Sequence, residues 1–443
     1  MSFSPPNPSA LASSALLTDL YELTMAAAYF ENRIDEVASF ELFVRSLPEN
    51  RSYLLVAGLE QALDGLERLR FTPDQIDYLR RHPVFARISP AFFDYLAGLR
   101  FTGEVWAMPE GTVAFADEPL LRVTAPIIEA QVVETFLLTT LSFQTSIATK
   151  AARVVKAARS RGVVEFGSRR AHGPEAGVLA ARAAYLGGCI GTSNVEAGFR
   201  FGIPTYGTVA HSFVMRYDEE EESFRDFQRV FPEHAVLLLD TYDTLAAVEK
   251  IIRLGLRPAG VRLDSGNLVE LSRQVRQRLD AAGLGETKIF ASGDLNEYRL
   301  AEILAANAPI DAFGVGTELA TAKDAPALGV IYKLVEVVRK GETHYRAKFS
   351  EDKVTYPGRK QVFHFRDSQG LYDHDLVARA DESVTDGEPL LTCVMREGRR
   401  VEPLPSLAAL RAAAAANLER LPHPCRQLHE RGATLVDMGL APT

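Results

Sequence analysis

Cysteine is scarce in this sequence: only Cys189, Cys393 and Cys425 occur, odd in number and far apart. Such spacing excludes a disulfide scaffold and a paired-cysteine zinc module, and it fits a reducing compartment. Long apolar runs are missing too; none approaches the ~20 residues that a bilayer-spanning helix needs. The opening MSFSPPNPSALASS has no basic and no apolar leader region, which predicts no secretory signal. Several chemistry-bearing patterns are absent: GxxxxGK followed by Ser or Thr, GxGxxG, HExxH and GxSxG. Their absence sets aside a P-loop, a dinucleotide fingerprint, a zinc protease and an α/β-hydrolase elbow. A net charge of −9 argues against nucleic acid as the main partner, though a local basic pocket for a small anion is compatible with it.

What is present reads as a folded, globular, cytoplasmic enzyme with no membrane partner: 47% of residues are apolar and 24% charged. At ~100–200 residues per domain, 443 residues predict two or three domains, unless a large α/β barrel takes most of the chain. Texture changes along it. Leu16–Asn32 reads as a helix, Glu36–Arg45 as a strand, Gly103–Thr124 as a small sheet, and Ile127–Ser160 as a long helix broken once. The middle then alternates short apolar runs with Ala- and Leu-rich stretches: VVEFGS, CIGTSN, PTYGTVAH, AVLLLDTYD, GVRLDSG, KIFASGD and AFGVGT. This β–α rhythm implies parallel strands, and seven polar strand ends suggest the mouth of a barrel. From about Lys333 the pattern is β again (KLVEVV, HYRAKF, QVFHF, LLTCVM), closing in a helix over Leu407–Arg420.

The strand ends carry the chemistry. Arg169 and Arg170 in EFGSRRAHGPE suit a phosphate or carboxylate gripped bidentately; a solvated basic turn is the bland alternative. His211 in GTVAHSF is open to three functional roles, as base, metal ligand or phosphoryl acceptor, and to a structural one. Asp240, Asp243 and Asp264 each follow a buried strand, where a carboxylate suits Mg²⁺ or sugar hydroxyls, or caps the next helix. SGD (Ser292, Gly293, Asp294) and FGVGT (Gly314, Gly316, Thr317) are glycine-bearing ends of the kind that bind phosphate through backbone N–H groups. Together they favour a phosphorylated sugar over a fatty or peptide substrate.

With these residues assembled, the chain resembles the nicotinate phosphoribosyltransferases. The matching stretches run in order: LLTDLYELTMA, EFGSRRAHGP, YLGGCIGTSNVEAG, IPTYGTVAHSF, LLDTYDT, VRLDSGNL, ASGDLNEY and FGVGTELATAKDAPALGVIYKLVE. The resemblance implies an irregular TIM-like α/β barrel over residues 136–334, beside an α+β domain built from residues 1–135 and 335–443. It implies a homodimer with shared sites. The implied reaction joins nicotinate to 5-phosphoribosyl-1-pyrophosphate, coupled to ATP hydrolysis through a phosphohistidine, with Mg²⁺ as cofactor, in NAD salvage.

Position by position, the resemblance puts Tyr21 (from the partner subunit) and Phe166 on the pyridine ring, with Arg262, Thr208 and Ser193 in the same pocket. Arg169, Arg170, Asp240, Ser292, Gly293, Asp294, Gly314, Gly316 and Thr317 would hold the phosphoribosyl pyrophosphate. Asp264 and Arg262 would serve catalysis, and His211 aligns with the phosphorylated residue. Four other readings compete. A nicotinamide phosphoribosyltransferase carries aspartate where Ser193 stands; quinolinate phosphoribosyltransferase shares the barrel but is shorter; an inactive phosphosugar-binding barrel would leave the joint retention of Tyr21, His211, Arg262 and Asp264 unexplained. A metal-dependent aldolase-like barrel leaves Tyr21 and FGVGT unexplained.

Overall fold

The computed structural model describes residues 15–347, 356–428 and 435–439. The chain divides into two compact units, one holding Ile147–Pro326 and the other built from Asn7–Ser146 and Ala327–Thr443.

The first unit is α/β. Its six strands are β1 (Gly162–Glu165), β2 (Gly191–Thr192), β3 (Val236–Leu238), β4 (Gly260–Leu263), β5 (Lys288–Ala291) and β6 (Ala312–Val315). They form one sheet in the order β2-β1-β6-β5-β4-β3, and every pairing is parallel. The strands are nearly all buried, as parallel strands covered by helices on a face must be. The run expected at PTYGTVAH contributes a single parallel bridge, Thr192 to Thr205. Among the described residues no ladder joins Thr205 to β3, so the barrel is irregular and not closed. Val209, Val214 and Leu238 form a small apolar cluster beside β3 instead. The short β2 has a steric reason. A side chain on Gly191 would meet the Pro204 carbonyl at 2.2 Å and the Tyr206 ring at 2.6 Å.

Most of the following helices start on an Asx cap. Asn194, Asp243, Asn267 and Asn296 accept the backbone N–H groups of Ala197, Ala246, Glu270 and Arg299. Each such cap satisfies one of the four backbone donors that a helix start leaves open. The division of labour matters for function. Asp243 caps a helix, whereas Asp264 does not, because Asn267 performs that task three residues later.

In the second unit, chain segments from both ends share one antiparallel seven-stranded sheet. Val37–Val44 lies between Val330–Arg339 and Pro119–Pro126, and Glu104–Ala107 continues the sheet to Thr392–Arg396. Phe40 stacks on Tyr332 with ring centroids 4.8 Å apart, and the Tyr332 hydroxyl donates to the Ala130 carbonyl at 2.8 Å. A four-stranded sheet holds Lys360–Arg366 and Tyr372–Arg379, with Glu388–Pro389 and Val436–Met438 at its edges. The expected long helix is Ile127–Val132 followed by Glu134–Ala157, and the terminal helix is Leu407–Glu419. The expected strand HYRAKF is observed over Glu342–Tyr345; its last two positions, 348 and 349, lie outside the described residues.

Three titratable groups are buried together in this unit. His364 Nδ1 contacts Asp375, and Asp375 shares a hydrogen bond with Glu118. None is more than 3% exposed. Burial pushes the Asp375 carboxyl up to about 7 and Glu118 well above the carboxylate range, while it lowers His364. Below about pH 7 the cluster is therefore held in its neutral forms. A raised carboxyl keeps its proton longer in the folded chain than in the unfolded one, where it ionises near ~4. Its contribution to stability is complete below about pH 4 and is lost as pH rises through about 7. Asp375→Asn removes this titration. Unfolding free energies from urea titrations at pH 5 and pH 8 should fall less between the two for the variant than for the wild type, by ~1 kcal/mol or more.

Candidate functional site

The C-terminal ends of the parallel strands surround a cavity of ≈ 730 Å³. Its wall takes Phe166, Arg169 and Arg170 from beyond β1, Ser193 from beyond β2, and Thr208 and His211 from the segment after Thr205. Arg262 and Asp264 come from the end of β4, Ser292, Gly293 and Asp294 from beyond β5, and Gly314, Gly316 and Thr317 from β6 and its turn. Residues up to 157 positions apart in the sequence (Phe166 to Lys323) thus meet at one mouth, as parallel α/β folds arrange.

Arg262 is the hub. Its Nε donates to Ser292 Oγ at 2.7 Å, Nη1 to Thr208 Oγ1 at 2.8 Å, and Nη2 to Asp264 Oδ1 at 2.6 Å. Ser292 Oγ also donates to Asp264 Oδ1 at 2.6 Å. Nη1 also donates to the Val209 carbonyl at 3.5 Å, so of the five N–H groups of the guanidinium these four bonds leave one for another partner. The Arg262 guanidinium also lies 5.9 Å from the centre of the Phe166 ring, within cation–π range. Burial pushes the Asp264 carboxyl up, but the Ser292 hydrogen bond, the Arg262 charge and hydrogen bond, and His211 together outweigh it. Asp264 is held below the usual carboxylate range and stays ionised. His211 opens the helix His211–Met215; its Nδ1 is 3.2 Å from Thr241 Oγ1, and its Nε2 is 3.9 Å from Asp264 Oδ2. That second distance is too long for a hydrogen bond, so Nε2 is left to face the cavity chemistry.

Arg169 and Arg170 are exposed, and no hydrogen bond or ion pair engages either guanidinium among the described residues. Two unengaged cations on one turn are the natural seat for an anion. The turn that carries them is held from beneath. Glu165 is buried, with its carboxylate accepting the Thr192 hydroxyl at 2.6 Å and the Gly167 N–H. The same carboxylate therefore fastens the ends of β1 and β2 together.

Three glycines let these turns approach. A side chain on Gly293, at φ +90°, would overlap the Asp264 carbonyl at 1.9 Å. One on Gly314 would strike the Phe166 ring at 2.6 Å, and one on Gly167 would meet Ala320 at 2.2 Å.

Asp240 is placed otherwise than a cavity ligand would be. It is not among the lining residues, and its Oδ2 accepts the Asp264 N–H at 3.0 Å and the Ser265 hydroxyl at 2.6 Å. It holds the Asp264 turn from behind, with Oδ1 buried and unbonded. Tyr21 belongs to the other unit. It sits in the first turn of the helix Leu20–Glu31, 47% exposed, and burial followed by the Glu134 carboxylate raises its hydroxyl. Leu17 and Leu20 are exposed beside it. Two charged lining residues were not singled out from the sequence: Glu318 and Lys323, which pair at 2.9 Å. Both stand inside the stretch FGVGTELATAKDAPALG, where only the glycines and Thr317 signalled phosphate.

Comparison with known proteins decides the family. Residues 16–142 match the model of the nicotinate phosphoribosyltransferase N-terminal domain, and residues 147–326 match that of the quinolinate phosphoribosyl transferase C-terminal domain. A nicotinate phosphoribosyltransferase of Mycobacterium tuberculosis is 49% identical over 425 residues, which cover 94% of this chain and 90% of its own. The chain belongs to the nicotinate phosphoribosyltransferase family. The enzyme of that name from Bacillus subtilis is 42% identical over 389 residues, 85% of this chain and 79% of its own. The crystal structure of human nicotinic acid phosphoribosyltransferase superposes with a TM-score of 0.85 at 30% identity, covering 95% of this chain and 97% of that one. The fold described above, with its parallel strands and a second domain from both chain ends, is therefore this family's fold.

The crowding at Gly293 makes a direct test of the site's architecture. Gly293→Ala should destabilise the protein by ~1–3 kcal/mol, because the left-handed backbone and the Asp264 carbonyl both oppose a side chain. Gly207→Ala, where nothing lies within 4 Å of the added atom, should change the urea midpoint little.

Proposed function

We propose that the chain is an ATP-coupled nicotinate phosphoribosyltransferase of NAD salvage, forming nicotinate mononucleotide and pyrophosphate from nicotinate and 5-phosphoribosyl-1-pyrophosphate. One observation carries the reading beyond family membership. Apart from Tyr21 and Asp240, the residues expected to hold a pyridine carboxylate, a ribose and two phosphate groups come from six separate segments and line one cavity.

In the transfer, the pyridine nitrogen bonds to ribose C1 as the C1–O bond to pyrophosphate breaks. Positive charge grows on the sugar ring and negative charge on the leaving group, and fixed charges aimed at both lower the barrier. Asp264, held ionised by Arg262 and Ser292, faces the ribose and stabilises its cationic character. Arg169 and Arg170 receive the pyrophosphate oxygens, and the N–H groups of Gly314–Thr317 receive the 5′-phosphate. Phe166 stacks on the pyridine, while Ser193 and the remaining N–H of Arg262 face its carboxylate.

Magnesium fits this site only in part. Among the described residues no group of three or more His, Cys, Asp or Glu could hold a metal ion. An ion carried on the pyrophosphate oxygens, with Asp264 Oδ2 and Asp294 as its protein partners, is compatible with the donors present. Bound there, it would neutralise the departing polyanion.

ATP enters through His211. An imidazole nitrogen attacks the γ-phosphorus, the bond to the β-phosphate oxygen breaks, and ADP leaves; water later cleaves the P–N bond to release phosphate. Thr241 on Nδ1 orients the ring for this. We further infer a homodimer in which Tyr21 of the partner subunit covers the pyridine. The exposed face of Leu17, Leu20 and Tyr21 supports that assignment, since a second copy would bury it. The reading includes a cytoplasmic location; among the described residues no helix is long and apolar enough to cross a membrane.

The defining experiment is product identification. The purified protein, given phosphoribosyl pyrophosphate, Mg²⁺ and ATP, should convert nicotinate in clear preference to nicotinamide; the reverse preference would reject the reading. Ser193→Asp should weaken nicotinate use by ~1–3 kcal/mol in kcat/KM, through like charges in a shielded pocket. Incubation with γ-labelled ATP should leave an acid-labile, base-stable label on His211. His211→Ala should lose both the label and ATP stimulation while retaining slow transfer, and a label mapped to another residue would contradict the coupling role.

A further inference from the structure

Lys150 has no solvent-exposed side-chain surface, yet it is a cation. Its Nζ lies 2.6 Å from Glu297 Oε2, 2.8 Å from Asp324 Oδ1 and 3.9 Å from Glu318 Oε2. Glu297 is equally buried and also accepts Arg153 Nε at 3.1 Å. A buried network of this kind is weak evidence for stability, since well-packed apolar residues often replace one without loss. What it does provide is a fixed arrangement of the segments that supply its members.

Those segments are the two that carry the phosphoribosyl half of the cavity. Glu297 begins the helix that follows Ser292, Gly293 and Asp294, three residues after Asp294. Glu318 and Asp324 flank the turn behind Gly314–Thr317, and Glu318 lines the cavity itself, paired with Lys323. Between them Ala322 takes φ +41°, a left-handed conformation that a non-glycine residue holds only when its surroundings impose it. One buried ammonium thus fastens the sugar turn to the phosphate turn.

We propose that Lys150 is a positioning residue for the phosphoribosyl end of the substrate: through Glu297 and Asp324 it sets the spacing between the Ser292–Asp294 turn and the Gly314–Lys323 turn. The inference rests on the substrate reading above and adds a residue to it. Lys150 touches no substrate. Its effect is expected in the affinity for phosphoribosyl pyrophosphate and not in that for nicotinate, whose expected contacts lie on other segments.

The test uses the full-length protein with Lys150→Met and Asp324→Asn. Isothermal titration of phosphoribosyl pyrophosphate, alongside separate KM values for the two substrates, gives the readout. Displacing a positioning element by about 1 Å costs on the order of 100-fold, so Kd and KM for phosphoribosyl pyrophosphate should rise about tenfold or more while KM for nicotinate stays near the wild-type value. Asp324 is 20% exposed at its side chain, so Asp324→Asn decides the matter if Lys150→Met does not fold. Unchanged phosphoribosyl pyrophosphate affinity in the folded variants, or an equal rise in both KM values, would overturn the proposal. A wild type that binds phosphoribosyl pyrophosphate without forming nicotinate mononucleotide would instead sink the substrate reading, and the titration would still decide the role of Lys150.

Discussion

Arg262 is the constraint on which the cavity depends, because its hydrogen bonds tie β4 to the turn after β5 and to a segment that, among the described residues, joins the sheet by a single bridge. Hydrogen bonds to a charged group contribute ~1.5–3 kcal/mol each, enough to fix the loose segment carrying Thr208. The Ser292 hydroxyl, the same guanidinium and His211 together keep Asp264 ionised against the cost of its burial. Removing the cation would leave a carboxylate in a half-buried wall without its main counter-charge, and the Ser292 turn without its anchor. Structure and electrostatics at this mouth are therefore one problem with one solution.

A second constraint is steric. Gly293, Gly314 and Gly167 stand where other parts of the site occupy the space of a side chain. Their absence of a Cβ lets the Asp264 carbonyl, the Phe166 ring and Ala320 pack directly against backbone. The turns converge more closely than side-chain packing would allow, and backbone N–H groups at Gly314–Thr317 come within reach of a ligand. Beneath this layer, Glu165 and Asp240 hold turns by their carboxylates, and neither presents a charge to the cavity wall.

Much of this was legible in the sequence, for local reasons. Short apolar runs ending in Gly, Ser, Asp or Arg announce buried strands with polar ends, and five of the seven runs form strands of three or four residues at the expected places. CIGTSN shrinks to Gly191–Thr192 and PTYGTVAH to one bridge, beside which Gly191 packs directly against Pro204 and Tyr206. Periodicity does not encode that contact. Nor does it encode which aspartate caps and which is free: Asp243 and Asp264 follow similar runs, and only Asn267 beyond the second relieves Asp264 of capping. The pairing of Lys150 with Glu297 and Asp324 spans well over a hundred residues and leaves no local trace. Lys323 was hidden differently, inside a motif whose glycines drew the whole phosphate argument.

The central claim is that one mouth holds the pyridine, the ribose and both phosphate groups. A crystal structure of the protein with nicotinate and phosphoribosyl pyrophosphate bound tests it most directly. The account predicts the 5′-phosphate on the N–H groups of Gly314–Thr317, the pyrophosphate at Arg169 and Arg170, and the nicotinate carboxylate facing Ser193 and Arg262. Substrates bound outside this cavity, or a 5′-phosphate lodged at the arginines, would contradict it.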